Sequence, residues 1–585
     1  MPGIDALRAV AVLAVFLYHA NVTWIPGGFL GVDVFFVISG YLITTLLLEE
    51  FRRNGHIDVV QFWLRRALRL LPAVGVVIAV TFLAAAILTP DGLLGLRGDA
   101  VASLFYVNNW HLIISDQSYF QEFARPSLFR HLWSLAVEEQ FYLLWPLAFA
   151  AGMMLLGRRR LLLGVLAGAL ASTLLMALLF DPGSDPIRAY YGTDTRAAPL
   201  LVGVALALVW SPWGLSERTG RWAPAALDAG GALALLLLIG AFIGVNEFDT
   251  GLYRGGFLAV ALATGLLVAA LAHPAARIGA GLGRRPMLWV GLRSYSFYLW
   301  HWPVLMLTRP GIDVPLHGTV LTLLQLALVL ALSDLSYRYV EEPFRRRDRV
   351  PSLPGGIRIT RPALGAAVVV TVLFIGWSGL FGSGGPSRLE VEVARAEAQR
   401  IEAAAAGRAE PGILAIGDSV MVGAAPELQE RFGAAITVSA DIGRQQSDVL
   451  ELIDGYAAAG RLPAVVIIQM GNNGPLIEGE MDGMRDALAG VQHVFLVNDE
   501  VPRPWEEESN EAIEAAAASW PRTTLIDWND LANSRGDLTF DGIHLTPEGV
   551  DAYTDLIART VRSEADPELL EGEAAPGGSS AASKG

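Results

Sequence analysis

The sequence predicts a bundle of membrane-spanning α-helices followed by a separate α/β domain built on a parallel sheet. Three observations carry this expectation. Apolar runs near 20 residues recur through the first two thirds of the chain, the length needed to cross about 30 Å of hydrocarbon. The charge changes sign along the chain: 35 acidic against 14 basic residues from Gly385 onward, but 23 against 29 before it. Beyond residue 410, short β-like runs alternate with helical segments, which is the pattern of βαβ units.

Composition narrows the chemistry. A chain of 585 residues that is 53% hydrophobic is too long and too apolar for one soluble domain. There are no cysteines, which excludes disulfides, thiolate metal sites and cysteine nucleophiles, and no metal-ligand set is read. The acidic C-terminal half argues against nucleic acid as a partner. Lys584 is the single lysine, and an arginine-for-lysine bias with abundant Ala and Gly looks like a GC-rich bacterial genome.

Spans are expected at about 8–25, 30–50, 71–89, 135–156, 161–180, 197–211, 224–245, 255–272, 287–307, 317–338 and 364–382. The first ten form one domain, and the eleventh lies in a linker, 348–387. Tyr18, His19 and Asn21 interrupt the first run, so it is not read as a cleaved leader. Eleven spans put the chain ends on opposite sides of the membrane. With a cytoplasmic N-terminus, the inside loops hold Arg52, Arg53, Arg65, Arg66, Arg69, Arg158–Arg160, Arg284, Arg285 and Arg345–Arg347. The outside loops hold scattered single arginines, so the positive-inside rule favours this orientation and an extracytoplasmic C-terminal domain. The assignment requires 98–115 to be a re-entrant or interfacial piece, which Asn108, Asn109 and His111 favour. A flexible joint at 382–386 precedes a helical stalk at 388–409, an α/β domain at 410–565 and a disordered Glu/Ala/Gly/Ser tail at 566–585.

His19 lies eleven residues after Arg8. On a helix this is about 16 Å of rise and nearly the same face. An ionisable residue within a span is costly and functional by default, the bland reading being a packed histidine. Arg65, Arg66 and Arg69 sit just inside the membrane, as phosphate-binding forks or as plain positive-inside anchors. Glu138 and Glu139 stand at a span entrance, where they either orient a histidine or are solvated at the interface.

Several blocks together resemble the membrane-bound acyltransferase-3 family. They are Arg8 to His19, Val37-Ile38-Ser39-Gly40-Tyr41-Leu42, the arginine block ending at Pro72, His131 to Tyr142, and Tyr295-Ser296-Phe297-Tyr298-Leu299-Trp300-His301-Trp302-Pro303. The resemblance covers residues 3–347, so the membrane domain is drawn as 1–347. It implies ten spans and transfer of acyl groups, usually acetyl from acetyl-CoA as co-substrate, to extracytoplasmic acceptors. It makes His19 the essential histidine and Arg8 its companion, with Ser39 and Glu138 in support and Arg65, Arg66 and Arg69 toward the CoA phosphates. No bound cofactor is expected.

In the C-terminal domain, Ser419 falls where the first β-like run meets a helix, at the carboxyl edge of a parallel sheet. Gly-Asp-Ser alone is a weak motif. The set is stronger: Gly443 ends the second strand, Asn473 follows the third, and Asp541 and His544 share one loop before the last helix. His544 would take the serine proton and Asp541 would orient its imidazole. The N–H groups of Ser419 and Gly443 and the amide of Asn473 would hold an oxyanion. This order resembles the SGNH hydrolase fold over 410–563, although its third block reads Gly-Asn-Asn-Gly instead of the commoner G-x-N-D.

An acyltransferase-3 domain followed by an SGNH-like domain resembles the bacterial cell-surface O-acetyltransferases of peptidoglycan, O-antigen or exopolysaccharide. The implied protein is multi-pass in the cytoplasmic (inner) membrane, with the bilayer, acetyl-CoA and an extracytoplasmic glycan as partners. The competing readings are an outer-face ester hydrolase, an acyltransferase for a glycolipid or secondary metabolite, and a glycolipid transporter.

Overall fold

The structure, a computed structural model, describes residues 1–88, 93–115, 126–182, 185–216, 220–310, 313–345, 412–503, 505–539 and 542–566. The linker with its eleventh span, the stalk, all but the first residue of the tail and Asp541 lie outside the described residues. What is described falls into two compact units, one helical and one sheet-centred.

Among the described residues, eight helices are long and apolar enough to cross a membrane: Pro2–His19, Pro26–Asn54, Val59–Leu88, Gly157–Leu179, Ala197–Gly214, Ala223–Gly244, Leu252–Ala272 and Gly318–Phe344. Two expected spans differ. Trp133–Leu155 is long enough, at 23 residues, but its first turns carry Glu138-Glu139-Gln140 and lower its apolarity. The single span expected at 287–307 is two helices, Arg285–Leu292 and Ser294–Met306. Thirteen residues rise only about 20 Å, less than the hydrocarbon thickness. The break falls at Arg293, whose guanidinium reaches Asp334 at 2.7 Å and stacks on Trp289 and Tyr337. A charge tied to a neighbouring helix in this way turns the chain where continuous apolarity suggests one rod. The segment 98–115 likewise comprises two short helices, Leu93–Leu104 and Asn108–Ile114, joined at Tyr106 with φ +53°.

Small residues set one of the close helix contacts in the bundle. A Cβ placed on Gly40 would stand 2.0 Å from the Leu200 carbonyl oxygen, and one on Gly203 would stand 2.1 Å from that of Val37. The helices Gly31–Asn54 and Ala197–Val209 therefore touch backbone to backbone, the packing that membrane interiors favour because apolar burial there gives little. Beside this contact, Arg196 meets Asp33 at 2.9 Å with both side chains fully buried. Four rings, Phe36, Trp133, Tyr190 and Phe257, lie within 6 Å of its guanidinium.

The C-terminal unit is a five-stranded, wholly parallel sheet in the order β2-β1-β3-β4-β5. The strands are β1 (Ile413–Gly417), β2 (Ile436–Ala440), β3 (Val465–Gln469), β4 (His493–Val497) and β5 (Thr523–Ile526). The inner strands β1, β3 and β4 are almost all apolar because both faces are covered, whereas the edge strands β2 and β5 carry Thr and Ser and are half-buried. Ile413, Ala415, Val465, Ile467, Phe495 and Val497 pack toward the helices Ser419–Phe432 and Pro547–Glu564. Leu414, Ile416, Val466, Ile468, Val494 and Leu496 pack on the opposite face with Gln446–Ala458 and Glu478–Ala487. The strand order reverses direction between β1 and β3. Such a switch point opens a crevice at the carboxyl ends of the strands, where α/β folds bind ligands.

Candidate active sites

The helix Pro2–His19 opens with proline and ends at His19, so Arg8 and His19 share one rod. His19 Nδ1 lies 3.0 Å from His301 Nε2, on a residue 282 positions away. The edge of Trp302 stands 4.8 Å from the His19 ring, centroid to centroid, and Arg130 lies 4.7 Å over Trp302. His131, buried like His301, meets the His301 ring edge-on at 5.5 Å and points Nε2 to the Leu299 carbonyl at 3.2 Å. The Tyr295–Pro303 block contains His301, to which sequence alone assigns no role. Its signal is that of another ionisable residue in an apolar stretch, costly to bury.

Glu138 does not orient a histidine. Its Oε1 accepts from Ser39 Oγ at 2.6 Å, and the Tyr142 hydroxyl donates to the same Ser39 Oγ at 2.9 Å. Arg8 is within electrostatic reach of Glu138, Tyr142, Asp5 and Arg69. The three arginines expected to act together divide. Arg66 stacks on Phe62 and Tyr142, Arg69 acts on Arg8, and Arg65 turns to Glu50 at 3.2 Å in an exposed pair. Arg8, Arg66, Arg69, Glu138, Ser39 and Tyr142 thus form one polar cluster inside the bundle, whereas Arg65 faces away from it.

In the C-terminal domain, Asp418 caps the helix that Ser419 begins, its Oδ1 accepting from the Val420 N–H at 3.0 Å. That cap puts Ser419 at a helix N-terminus, where the orphan N–H groups favour a developing anion. Ser419 Oγ is 3.4 Å from His544 Nε2. The second carboxylate oxygen of Asp418 accepts from Asn472 at 2.9 Å and, at 3.4 Å each, from Gln469 and Asn473. Full burial pushes the Asp418 carboxyl up to about 6, against the lowering effect of the Val420 and Asn472 hydrogen bonds. Asp499, also buried and bonded to Gln469 at 2.7 Å, is pushed well up by burial and then by the charge of Asp418.

Gly443 follows β2 with φ +75°, a left-handed turn that glycine adopts without strain. Asn473 follows β3, so the topology brings Ser419, Gly443 and Asn473 to one sheet edge. The amide of Asn473 donates to the Arg444 carbonyl at 3.0 Å and to Asp418 at 3.4 Å. Both its hydrogens already have acceptors, and presenting one to an oxyanion requires the longer contact to yield. Gln445 adds a tie from the β2 loop to the Asn473 carbonyl at 3.0 Å. The third-block asparagines therefore hold the serine loop through Asp418.

A serine within reach of a histidine at a parallel-sheet edge is the geometry of acyl transfer to and from a hydroxyl. Its union with a helical membrane domain that holds a histidine pair defines a membrane acyltransferase. The family model for the acyltransferase-3 group, described as an acyltransferase domain, matches residues 1–338. Peptidoglycan O-acetyltransferase OatA of Listeria monocytogenes is 36% identical over 95% of this chain and 97% of its own. Putative peptidoglycan O-acetyltransferase YrhL of Bacillus subtilis is 34% identical over 96% and 98%. The C-terminal catalytic domain of Streptococcus pneumoniae peptidoglycan O-acetyltransferase A, solved with a methylsulfonyl adduct, is 24% identical with a TM-score of 0.24, covering 27% of this chain and 96% of that one. The chain belongs to the acyltransferase-3 family, and it is a multi-pass membrane O-acetyltransferase.

Proposed function

We propose that this enzyme moves acetyl from cytoplasmic acetyl-CoA through the membrane domain to Ser419, and from Ser419 to a hydroxyl of extracytoplasmic peptidoglycan. The observation that carries the reading is the presence of two histidine-centred sets in one chain: His19 with His301 in the bundle, and Ser419 with His544 at the sheet edge. The acceptor class rests on the names of relatives aligned over nearly the whole chain. The direction rests on the arginines clustered in the loops assigned to the cytoplasm.

In the first stage the arginines of the polar cluster attract the CoA phosphates, and His19 acts as base or transient acyl carrier. In the second, His544 accepts the Ser419 proton as Oγ attacks the acyl carbon, with the N–H groups of Ser419 and Gly443 toward the oxyanion, and the bond from the acyl carbon to the donor group breaks as His544 passes that proton to the departing group. His544, neutral again, deprotonates a sugar hydroxyl, which attacks the acyl-serine; the ester bond to Oγ breaks and the same proton returns from His544 to Oγ. Asp541 is assigned to orient His544 by its place in the same loop.

Cells lacking the gene, complemented with wild type or with Ser419→Ala, test the reading through ester-linked acetate released from purified cell wall. The variant is expected to lose acetylation by at least about 10³-fold, as nucleophile removal does in serine enzymes. Wild-type acetylation in that variant, at equal protein level, would sink the serine stage.

A further inference from the structure

The His19–His301 contact specifies more than proximity. His301 Nδ1 lies 2.6 Å from the Tyr298 carbonyl oxygen, one turn back on its own helix. A carbonyl only accepts, so this nitrogen carries the hydrogen. His301 is wholly enclosed, where an uncompensated charge is costly, so its ring is neutral and its Nε2 holds a lone pair. That lone pair faces His19 Nδ1 at 3.0 Å. His19 Nδ1 must then be the N–H that His301 accepts. The hydrogens run in one direction, from His19 Nδ1 to His301 Nε2 and from His301 Nδ1 to the Tyr298 oxygen.

We infer that His301 is a positioning residue: by accepting from His19 Nδ1–H it fixes the orientation of the His19 imidazole for the first stage. The helix geometry supports the device. Tyr298 is itself anchored, its hydroxyl meeting Ser134 at 2.6 Å and the His131 carbonyl at 2.9 Å. The ring of His131 braces His301 edge-on, and Trp302, the next residue, closes the other side of His19. The device differs from a carboxylate partner in one respect. A neutral ring orients the imidazole without adding negative charge, which suits a group that must begin each cycle as an unprotonated nucleophile or base.

The inference rests on the assignment of His19 to the first stage, and the two fail separately. Purified full-length enzyme in lipid nanodiscs is assayed for acetyl-CoA consumption, with His19→Ala as control. If His19→Ala keeps wild-type turnover, the first-stage assignment falls and the inference with it. If His19→Ala is inactive, His301→Leu and His301→Gln decide. Leucine fills the space with no acceptor, whereas the glutamine oxygen can accept from His19 and its amide can donate to Tyr298. The leucine variant is expected to lose about 10²–10⁴-fold in kcat, the range seen when an orienting partner of histidine is removed, with KM for acetyl-CoA within about threefold. The glutamine variant is expected to recover at least about tenfold over leucine. If the leucine variant does not fold, His301→Asn replaces it, since its shorter amide cannot span both partners. A folded leucine or asparagine variant within about tenfold of wild-type kcat, or equal turnover in glutamine and its comparator, overturns the inference.

Discussion

Asp418 carries two duties on one carboxylate, capping the helix that presents Ser419 and collecting N–H donors from the third-block loop. Its folded-state value of about 6 lies above the ordinary aspartate value near 3.8. Between about pH 4 and 6 the folded domain keeps a proton that the unfolded chain has lost, so this group lowers stability as pH rises through that window. In full-length protein, the C-terminal unfolding transition is expected to weaken from pH 4 to 6. Asp418→Asn should flatten that dependence by up to on the order of 3 kcal/mol, read from denaturant midpoints at each pH. An unchanged slope in the variant would remove Asp418 from the account. His19 and Ser419 were legible because each breaks a local pattern, one a polar ring in an apolar run and the other a hydroxyl at a strand-to-helix junction. His301 breaks the same pattern, yet its partner lies 282 residues away, and no local spacing reports such a contact.

At the scale of elements, legibility followed periodicity. Each strand of the C-terminal sheet lies within a residue or two of its β-like run, the edge strands because they are β-branched and the inner strands because cover on both faces makes them continuously apolar. Residues 287–307 read as one span for the same reason, and tertiary ties at Arg293 overrode the composition. Glycine contacts were illegible, since a glycine in an apolar run does not say which helix approaches it. Gly203→Leu tests the contact that holds Gly31–Asn54 against Ala197–Val209. Four added carbons would meet the Val37 carbonyl, and overpacking of a core typically costs about 1–3 kcal/mol even where neighbours can shift. Here the neighbour is backbone, so the variant is expected to lose its monodisperse peak on detergent size-exclusion chromatography, whereas Gly164→Leu, with open space at its Cβ, should keep it. Equal profiles for the two would show that the helices part easily.

Over the whole molecule, the two-stage reading imposes an order on the acyl group that neither site imposes alone. Enzyme in sealed vesicles, given acetyl-CoA labelled in the acetyl group and no glycan acceptor, is expected to accumulate label on Ser419. In His19→Ala the label should be absent from Ser419, although a soluble activated acetyl ester supplied to the C-terminal domain should still acylate it. The reverse pairing is the stronger constraint. Ser419→Ala should still consume acetyl-CoA for up to about one turnover if His19 holds the acyl group, or show none beyond background if His19 serves only as a base for direct passage. Either outcome keeps the order, membrane domain first. Label reaching Ser419 from acetyl-CoA in the absence of His19 would reverse it, because the serine would then be taking acetyl without the bundle. The histidine pair would be left as a structural contact, and the family's membrane domain would need another role than delivery.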